Sequence, residues 1–132
     1  MTSILSSALS GLAAAQKRLE VSARNIANIS STGPLAGAPP DVVAAFAALR
    51  MDQTEAPGGG TVATVSKASP ATVAVADPTS RFANADGMVA APNVDLANEA
   101  VQTLVARYSF AANAAVLRAD NAMRKSLLDI KT

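Results

Sequence analysis

Cysteine, histidine and tryptophan are absent from this chain of 132 residues, which also holds only one tyrosine and three phenylalanines. Without cysteine, the chain forms neither disulfides nor thiolate metal sites. Without histidine and cysteine, it lacks the commonest general base and the strongest side-chain nucleophile. No serine stands in a Gly-x-Ser-x-Gly motif. We therefore expect no enzymatic activity, no catalytic residue, no bound metal and no cofactor.

The chain also has almost no excess of either charge, because its eleven basic and ten acidic residues leave a net charge of +1. The basic residues cluster no further than adjacent pairs such as Lys17 and Arg18, so nucleic acid is not an expected partner. Uninterrupted apolar stretches of about 18 residues are missing, so no membrane span is expected. The first residues lack the basic start of a secretory signal, so no cleaved signal peptide is expected, and the protein would need a dedicated export route if it leaves the cytoplasm.

The hydrophobic half of the chain is rich in alanine and poor in large side chains. Large aromatic side chains each bury roughly 150–250 Å². A chain with so few of them gains little hydrophobic free energy as an isolated globule. We therefore expect other chains to complete its burial.

Residues 1–33 are predicted to be an N-terminal axial helix. From residue 3 to about residue 29 there is no proline, and apolar residues recur in alternating steps of three and four. This spacing is typical of the seam of a left-handed coiled coil. Gly33 and Pro34 then predict the end of the segment. The seam consists of Leu5, Ala8, Leu12, Ala15, Leu19, Ser22, Ile26 and Ile29.

Residues 93–132 contain neither proline nor glycine and are predicted to be a C-terminal axial helix. Asn93 is expected to cap it, with Asp95 and Glu99 near the positive end of the helix dipole. Its apolar residues recur at a mean step of about 3.6, which predicts a nearly straight helix. This stripe consists of Val101, Val105, Tyr108, Ala112, Val116, Ala119, Met123, Leu127 and Ile130.

Residues 34–92 carry all seven prolines and are predicted to be an irregular middle segment. Residues 57–60 read Pro-Gly-Gly-Gly and separate residues 46–54 from residues 61–66, a run rich in threonine and valine. This pattern predicts a β-hairpin. Residues 41–46 are equally compatible with the start of a short helix, so the first arm of the hairpin is the weaker half of this prediction.

These segments predict a mainly α protein, in which long N- and C-terminal helices pack as a coiled-coil-like pair and a small middle segment contains a β-hairpin. Residues 1–33 and 93–132 then form one helical domain. Two helices cannot bury both stripes in one pair, so the stripes are the predicted subunit interface; the alternative is an amphipathic helix that packs within its own domain. Two asparagines near the end of the first helix are included, since they either bond a neighbouring subunit or cap their own helix. The predicted interface residues are Leu5, Leu12, Leu19, Asn25, Ile26, Asn28, Val101, Leu104, Tyr108, Val116, Met123 and Leu127.

Short motifs at both ends of the chain resemble the flagellar basal-body rod and hook axial proteins. At the N-terminal end, these motifs are residues 7–12 (SALSGL), 22–29 (SARNIANI) and 32–33 (TG). At the C-terminal end, they are residues 86–89 (DGMV), 92–96 (PNVDL), 108–113 (YSFAAN) and 127–130 (LLDI). Within that family, the short length and the Pro-Asn-Val-Asp motif are most similar to the proximal-rod members.

The resemblance implies a structural subunit of the basal-body rod, whose terminal helices assemble into a helical tube that transmits torque and encloses the export channel. It also implies export through the flagellar type III channel and a periplasmic location. The implied partners are other rod subunits, ring proteins of the hook-basal body and the export apparatus. A rival hypothesis of another class is a soluble helical adaptor or export chaperone that binds one partner helix in a groove.

Overall fold

The computed structural model describes residues 2–35 and 42–129. Two long helices stand at the ends of the described chain and four short strands lie between them, which confirms a mainly α protein with a β-containing middle. Residue 41 and Ile130, which belong to the predicted patterns, lie outside the described residues. The elements are, in order, α1 (Thr2–Ala27), β1 (Leu49–Glu55), β2 (Thr61–Lys67), β3 (Thr72–Ala76), β4 (Met88–Pro92) and α2 (Leu96–Asp129).

The first helix, α1, forms because its sequence holds no proline, one glycine and many alanine and leucine residues, which are strong helix formers. Its 26 residues correspond to a length of about 39 Å. At its end, the side-chain amide of Asn28 donates a hydrogen bond to the carbonyl of Arg24 at 2.8 Å. The backbone N–H of Asn28 donates to the same carbonyl at 3.1 Å. Asn28 therefore bonds the Arg24 carbonyl through both its backbone and its side chain at the end of the helix.

The second helix, α2, begins with a cap formed by Asp95. Asp95 Oδ1 accepts hydrogen bonds from the N–H groups of Ala97 at 2.9 Å and Asn98 at 3.3 Å. The predicted cap at Asn93 is wrong, because the amide of Asn93 instead donates to the carbonyl of Pro70 at 2.9 Å. The 34 residues of α2 span about 51 Å, so α2 is clearly longer than α1.

The two helices pack against each other in an antiparallel arrangement. Asn25 near the end of α1 is bonded to Glu99 near the start of α2. Gly11, nearer the start of α1, lies against Asn113, farther along α2. The same rise per residue on both helices places the first turn of α1 beside about residue 122 of α2. The final turns of α2, residues 123–129, therefore extend beyond α1, and we call them the projecting end of α2.

The first two strands form the predicted β-hairpin. Leu49 pairs with Lys67 at its base and Glu55 pairs with Thr61 near its tip. Gly58, Gly59 and Gly60 in the connecting turn all have positive φ angles, near 93°, a region that glycine enters without steric cost. Residues 43–48 contain neither helix nor strand, so β1 begins later than predicted, and no short helix is present among the described residues 42–48.

A second antiparallel pair, β3 with β4, was not predicted from the sequence. Val89 of β4 is fully buried and Ala90 nearly so. The free edge of β4 pairs with Gly33, whose N–H and carbonyl bond the backbone of Ala90 at 3.0 and 2.9 Å. A side chain at Gly33 would overlap the backbone of Ala45. The glycine that follows α1 therefore does more than end the segment, since it also joins α1 to the β3–β4 pair.

The buried apolar residues are small, as the composition predicts. None is larger than valine, so hydrophobic stabilisation inside the described chain is modest. They are Ala8, Ala14, Ala15, Val21, Ala48, Val89, Ala90 and Ala106.

Candidate functional site

The contact between α1 and α2 is made by small and polar side chains rather than by the large apolar residues of the two stripes. Ala15 on α1 and Ala106 on α2 are both buried. At Gly11, an added Cβ would overlap the side-chain amide of Asn113, so a larger residue there would displace that amide. Small residues at a helix contact allow the helix axes to come close together.

Asn25 is the most connected side chain in this contact and is only 1% exposed. Its Nδ2 donates to the carbonyl of Leu49 at 2.8 Å and to Oε1 of Glu99 at 2.6 Å. Its Oδ1 accepts from the N–H of Leu49 at 2.9 Å. Both amide hydrogens and the amide oxygen are therefore used. One side chain on α1 holds the first residue of β1 on one side and α2 on the other.

Arg18 forms a similar bridge two turns earlier on α1. Its guanidinium donates to Gln102 of α2 at 2.6 Å and to Gln53 of β1 at 2.9 Å. Arg18 and Gln102 also line a polar cavity of about 170 Å³ between the helices and β1. The planar guanidinium holds several donors in a fixed geometry, which suits a side chain that bonds two elements at once.

A third bridge joins α1 to the tip of the first hairpin. The hydroxyl of Ser10 donates to the carbonyl of Ser7 at 2.9 Å and accepts from the N–H of Thr61 at 3.1 Å. Gly60 lies so close to this hydroxyl that an added Cβ would overlap it. The β1–β2 hairpin is therefore bonded to α1 near its base, along β1 and at its tip.

The predicted interface residues of α1 lie mostly on its exposed surface. We call Leu5, Leu12, Leu19 and Ile26 the α1 stripe. Leu19 is 43% exposed, Leu5 and Ile26 are also exposed, and Leu12 is partly exposed. Asn25 and Asn28 differ from these residues, because the amides of both are bonded within the chain. No contact with another chain is described for any of them, so their role at a subunit interface stays a prediction.

The predicted interface residues of α2 are exposed along its length. We call Val101, Leu104, Tyr108, Val116, Met123 and Leu127 the α2 stripe. Tyr108 is 75% exposed. A groove of about 390 Å³ runs beside the α1 stripe, between Leu19 and Phe110 of α2, but no residue of the α2 stripe lines it. The fold therefore does not bring the two stripes together, and each is left for contacts outside the described chain.

The charged groups on the outer side of α1 form a short row. Glu20 is paired with Lys17 at 3.0 Å and with Arg24 at 2.6 Å. The hydrogen bond from Lys17 and the positive charges of both partners lower the pKa of Glu20 below its ordinary value. These ion pairs are solvent-exposed, so their contribution to stability is small.

Within residues 2–35 and 42–129, no group of acidic side chains is arranged to hold a metal ion. None of the helices in this part of the chain is long and apolar enough to cross a membrane.

Sequence reasoning missed several residues that hold the fold together, in particular Ser10, Arg18, Gly60 and Gln102. One signal was available, because Gly11, Arg18 and Asn25 recur every seven residues beside the apolar seam. On a helix, this spacing places all three on one face. That face is the one which α1 presents to α2.

Comparisons with known proteins agree at both ends of the chain. The family described as "Flagella basal body rod protein" matches residues 5–34, and that described as "Flagellar basal body rod FlgEFG protein C-terminal" matches residues 85–130. The flagellar basal-body rod protein FlgC of Salmonella typhimurium is 37% identical over 122 residues, which cover 92% of this chain and 90% of the relative. FlgC of Escherichia coli is 35% identical over the same shares of both chains. This chain therefore belongs to the family of flagellar basal-body rod proteins, as a structural subunit and not an enzyme.

Proposed function

We propose that this rod subunit of the flagellar basal body joins other rod subunits through the α1 stripe and the α2 stripe. The proposal rests on the identity of the side chains that pack α1 against α2 within the subunit. Small and polar residues hold α1 to α2, so large apolar residues such as Leu19 and Tyr108 stay exposed. Extended exposed apolar surface is typical of interaction sites.

In the proposed assembly, residues 1–33 and 93–132 act as one helical domain whose stripes make coiled-coil-like contacts with neighbouring subunits. Repetition by rotation and rise gives a helical tube that transmits torque and encloses the export channel. Ring proteins of the hook-basal body and the export apparatus are further proposed partners. The subunit reaches the periplasm through the flagellar type III channel without a cleaved signal peptide. The rival adaptor or chaperone hypothesis is not favoured, because the relatives are rod proteins.

The experiment that tests this proposal replaces Leu19 by aspartate in a strain whose only copy of the protein is the variant. Leu19 is 43% exposed in the isolated subunit, so Leu19→Asp should leave the fold intact. In the proposed interface, the new charge is buried without a partner, which costs several kcal/mol. Purified basal bodies should therefore lack the variant, although cells synthesise it normally.

The matched control is Ala13→Asp, which introduces the same charge on the same helix. Ala13 is exposed and lies on a side of α1 away from the α1 stripe. This variant should be present in basal bodies in the normal amount. If basal bodies contained Leu19→Asp at the normal copy number, the α1 stripe would not be an interface and the proposal would be refuted.

A further inference from the structure

The β1–β2 hairpin is attached to α1 at three levels that are spaced along the helix. Asn25 holds Leu49 at the base of the hairpin, and Ser10 holds Thr61 at its tip. Between them, Arg18 bonds β1. From Ser10 to Asn25, α1 rises about 22 Å, and β1 spans about 20 Å from its first to its last residue. The strand and this part of the helix therefore match in length and run side by side.

The bonds at the base and the tip fix α1 in two ways. They set its position along the hairpin, since a shift by one helical turn would break both. They also set its rotation, because Ser10 and Asn25 must both face the hairpin. At about 100° of rotation per residue, the hairpin-facing side of α1 lies ~160° from the α1 stripe, nearly on the opposite side of the helix.

The tip is where the packing is closest. Gly60 has a φ of 93°, and an added Cβ would overlap the Ser10 hydroxyl and lie 3.3 Å from the Cα of Ser7. Gly58 has the same φ of 93°, but an added Cβ there would meet nothing within 4 Å. The two glycines therefore share the same φ, and an added Cβ contacts α1 at Gly60 but not at Gly58.

We propose that the β1–β2 hairpin is a splint for rod assembly: it occupies one side of α1 and orients the α1 stripe towards a helix of another rod subunit. This inference rests on the proposed function, because it assumes that the α1 stripe is an interface. The hairpin covers the side of α1 that carries Ser10 and Asn25, so this side is closed to a further helix. Each α1 then has a single apolar side open to a partner, which restricts how a neighbouring subunit docks.

The test compares Gly60→Ala with its matched control Gly58→Ala in a chain that is free of native cysteine. Ala14 is buried and lies one turn from Ser10 on the same face of α1. In an Ala14→Cys background, a maleimide reports whether the hairpin covers this face. Gly60→Ala should speed labelling about tenfold, because the tip of the hairpin opens locally. Gly58→Ala should leave the thiol protected.

The second readout is the amount of each variant in purified basal bodies, measured without the Ala14→Cys change. Gly60→Ala should be lost from basal bodies while its helix content, measured by circular dichroism, stays that of the unsubstituted protein. Gly58→Ala should be incorporated normally. If helix content falls in Gly60→Ala, Ser10→Ala replaces it in both measurements. This second variant removes the hydroxyl that accepts from the N–H of Thr61 and adds no clash.

The outcomes separate this inference from the proposed function. If Gly60→Ala exposes the thiol yet is incorporated normally, or if it leaves the thiol protected, the splint is refuted. In either case, a Leu19→Asp variant that is still excluded from basal bodies shows that the α1 stripe remains an interface. If Leu19→Asp is incorporated as well, the proposed function fails together with the splint.

Discussion

Replacement of Asn25 by alanine should be the most destabilising single change among the polar residues of the helix contact. Three hydrogen bonds end on this amide, two with the backbone of Leu49 and one with the carboxylate of Glu99. Alanine removes all three at once. The buried carboxylate of Glu99 and the N–H and carbonyl groups of Leu49 then lose their hydrogen-bond partner.

The size of the effect follows from the burial of these groups. A buried polar group that loses its partner costs about 1–3 kcal/mol, whereas water compensates a group that it reaches. Glu99 is buried, while Leu49 is only partly buried, so the sum should be about 2–4 kcal/mol. A domain of this size is stable by about 5–15 kcal/mol. The melting temperature should therefore fall by about 10 °C.

Thermal unfolding of the purified protein, followed by circular dichroism, measures this loss. Asn28→Ala is the matched control, because it removes a single bond to a carbonyl of its own helix and should lower the melting temperature by only a few degrees. Glu99→Gln keeps an oxygen that accepts from Asn25 and should also have a small effect. Equal melting temperatures for Asn25→Ala and Asn28→Ala would refute the view that Asn25 joins three elements.

Two further predictions concern the same pair of helices. Gly11→Ala should displace the side-chain amide of Asn113, which its Cβ overlaps, and break the bond from that amide to the carbonyl of Ser109. The melting temperature should fall by a few degrees, and adding Asn113→Ala should not lower it much further, because the bond is already lost in Gly11→Ala. A further fall of the same size as the first would contradict this packing. The pKa of Glu20 is lowered below the ordinary 4.5 because of Lys17. The ionised carboxylate therefore stabilises the folded protein at neutral pH, and this contribution is lost as the pH falls through the lowered pKa. The difference in helix stability between the unsubstituted protein and Glu20→Gln should accordingly shrink in acid, and a difference that is constant between neutral and acidic pH would contradict it.

The sequence predicts the helices and the first hairpin well, because their patterns are long or carry strong turn residues. It does not predict β3 and β4, which are only five residues each. β4 contains alanine and a proline, both of which are poor strand formers. This strand is stabilised by tertiary contacts instead, namely its pairing with Gly33 and the burial of Val89. Such contacts between distant parts of the chain have no local sequence pattern.

The residues of the candidate site differ in how well a sequence pattern marks them. The apolar periodicity predicts the α1 stripe and the α2 stripe, whose residues are largely exposed in the subunit; their role at a subunit interface stays a prediction. The polar residues that hold the fold were harder to identify, because an asparagine near a helix end usually acts as a local cap. Asn28 follows this rule, whereas Asn25 does not. The difference depends on whether the side chain lies on the helix face that packs against α2.

The projecting end of α2 makes the two extremities of the subunit unequal. At one extremity the end of α1 and the start of α2 lie close together, beside the β3–β4 pair. At the other, α2 alone continues and carries exposed Met123, Leu127 and Leu128. Units with unlike extremities stack in one sense only. An assembly built through the projecting end of α2 would therefore be polar. One end of it would expose uncovered helix to the next subunit, and the opposite end would not.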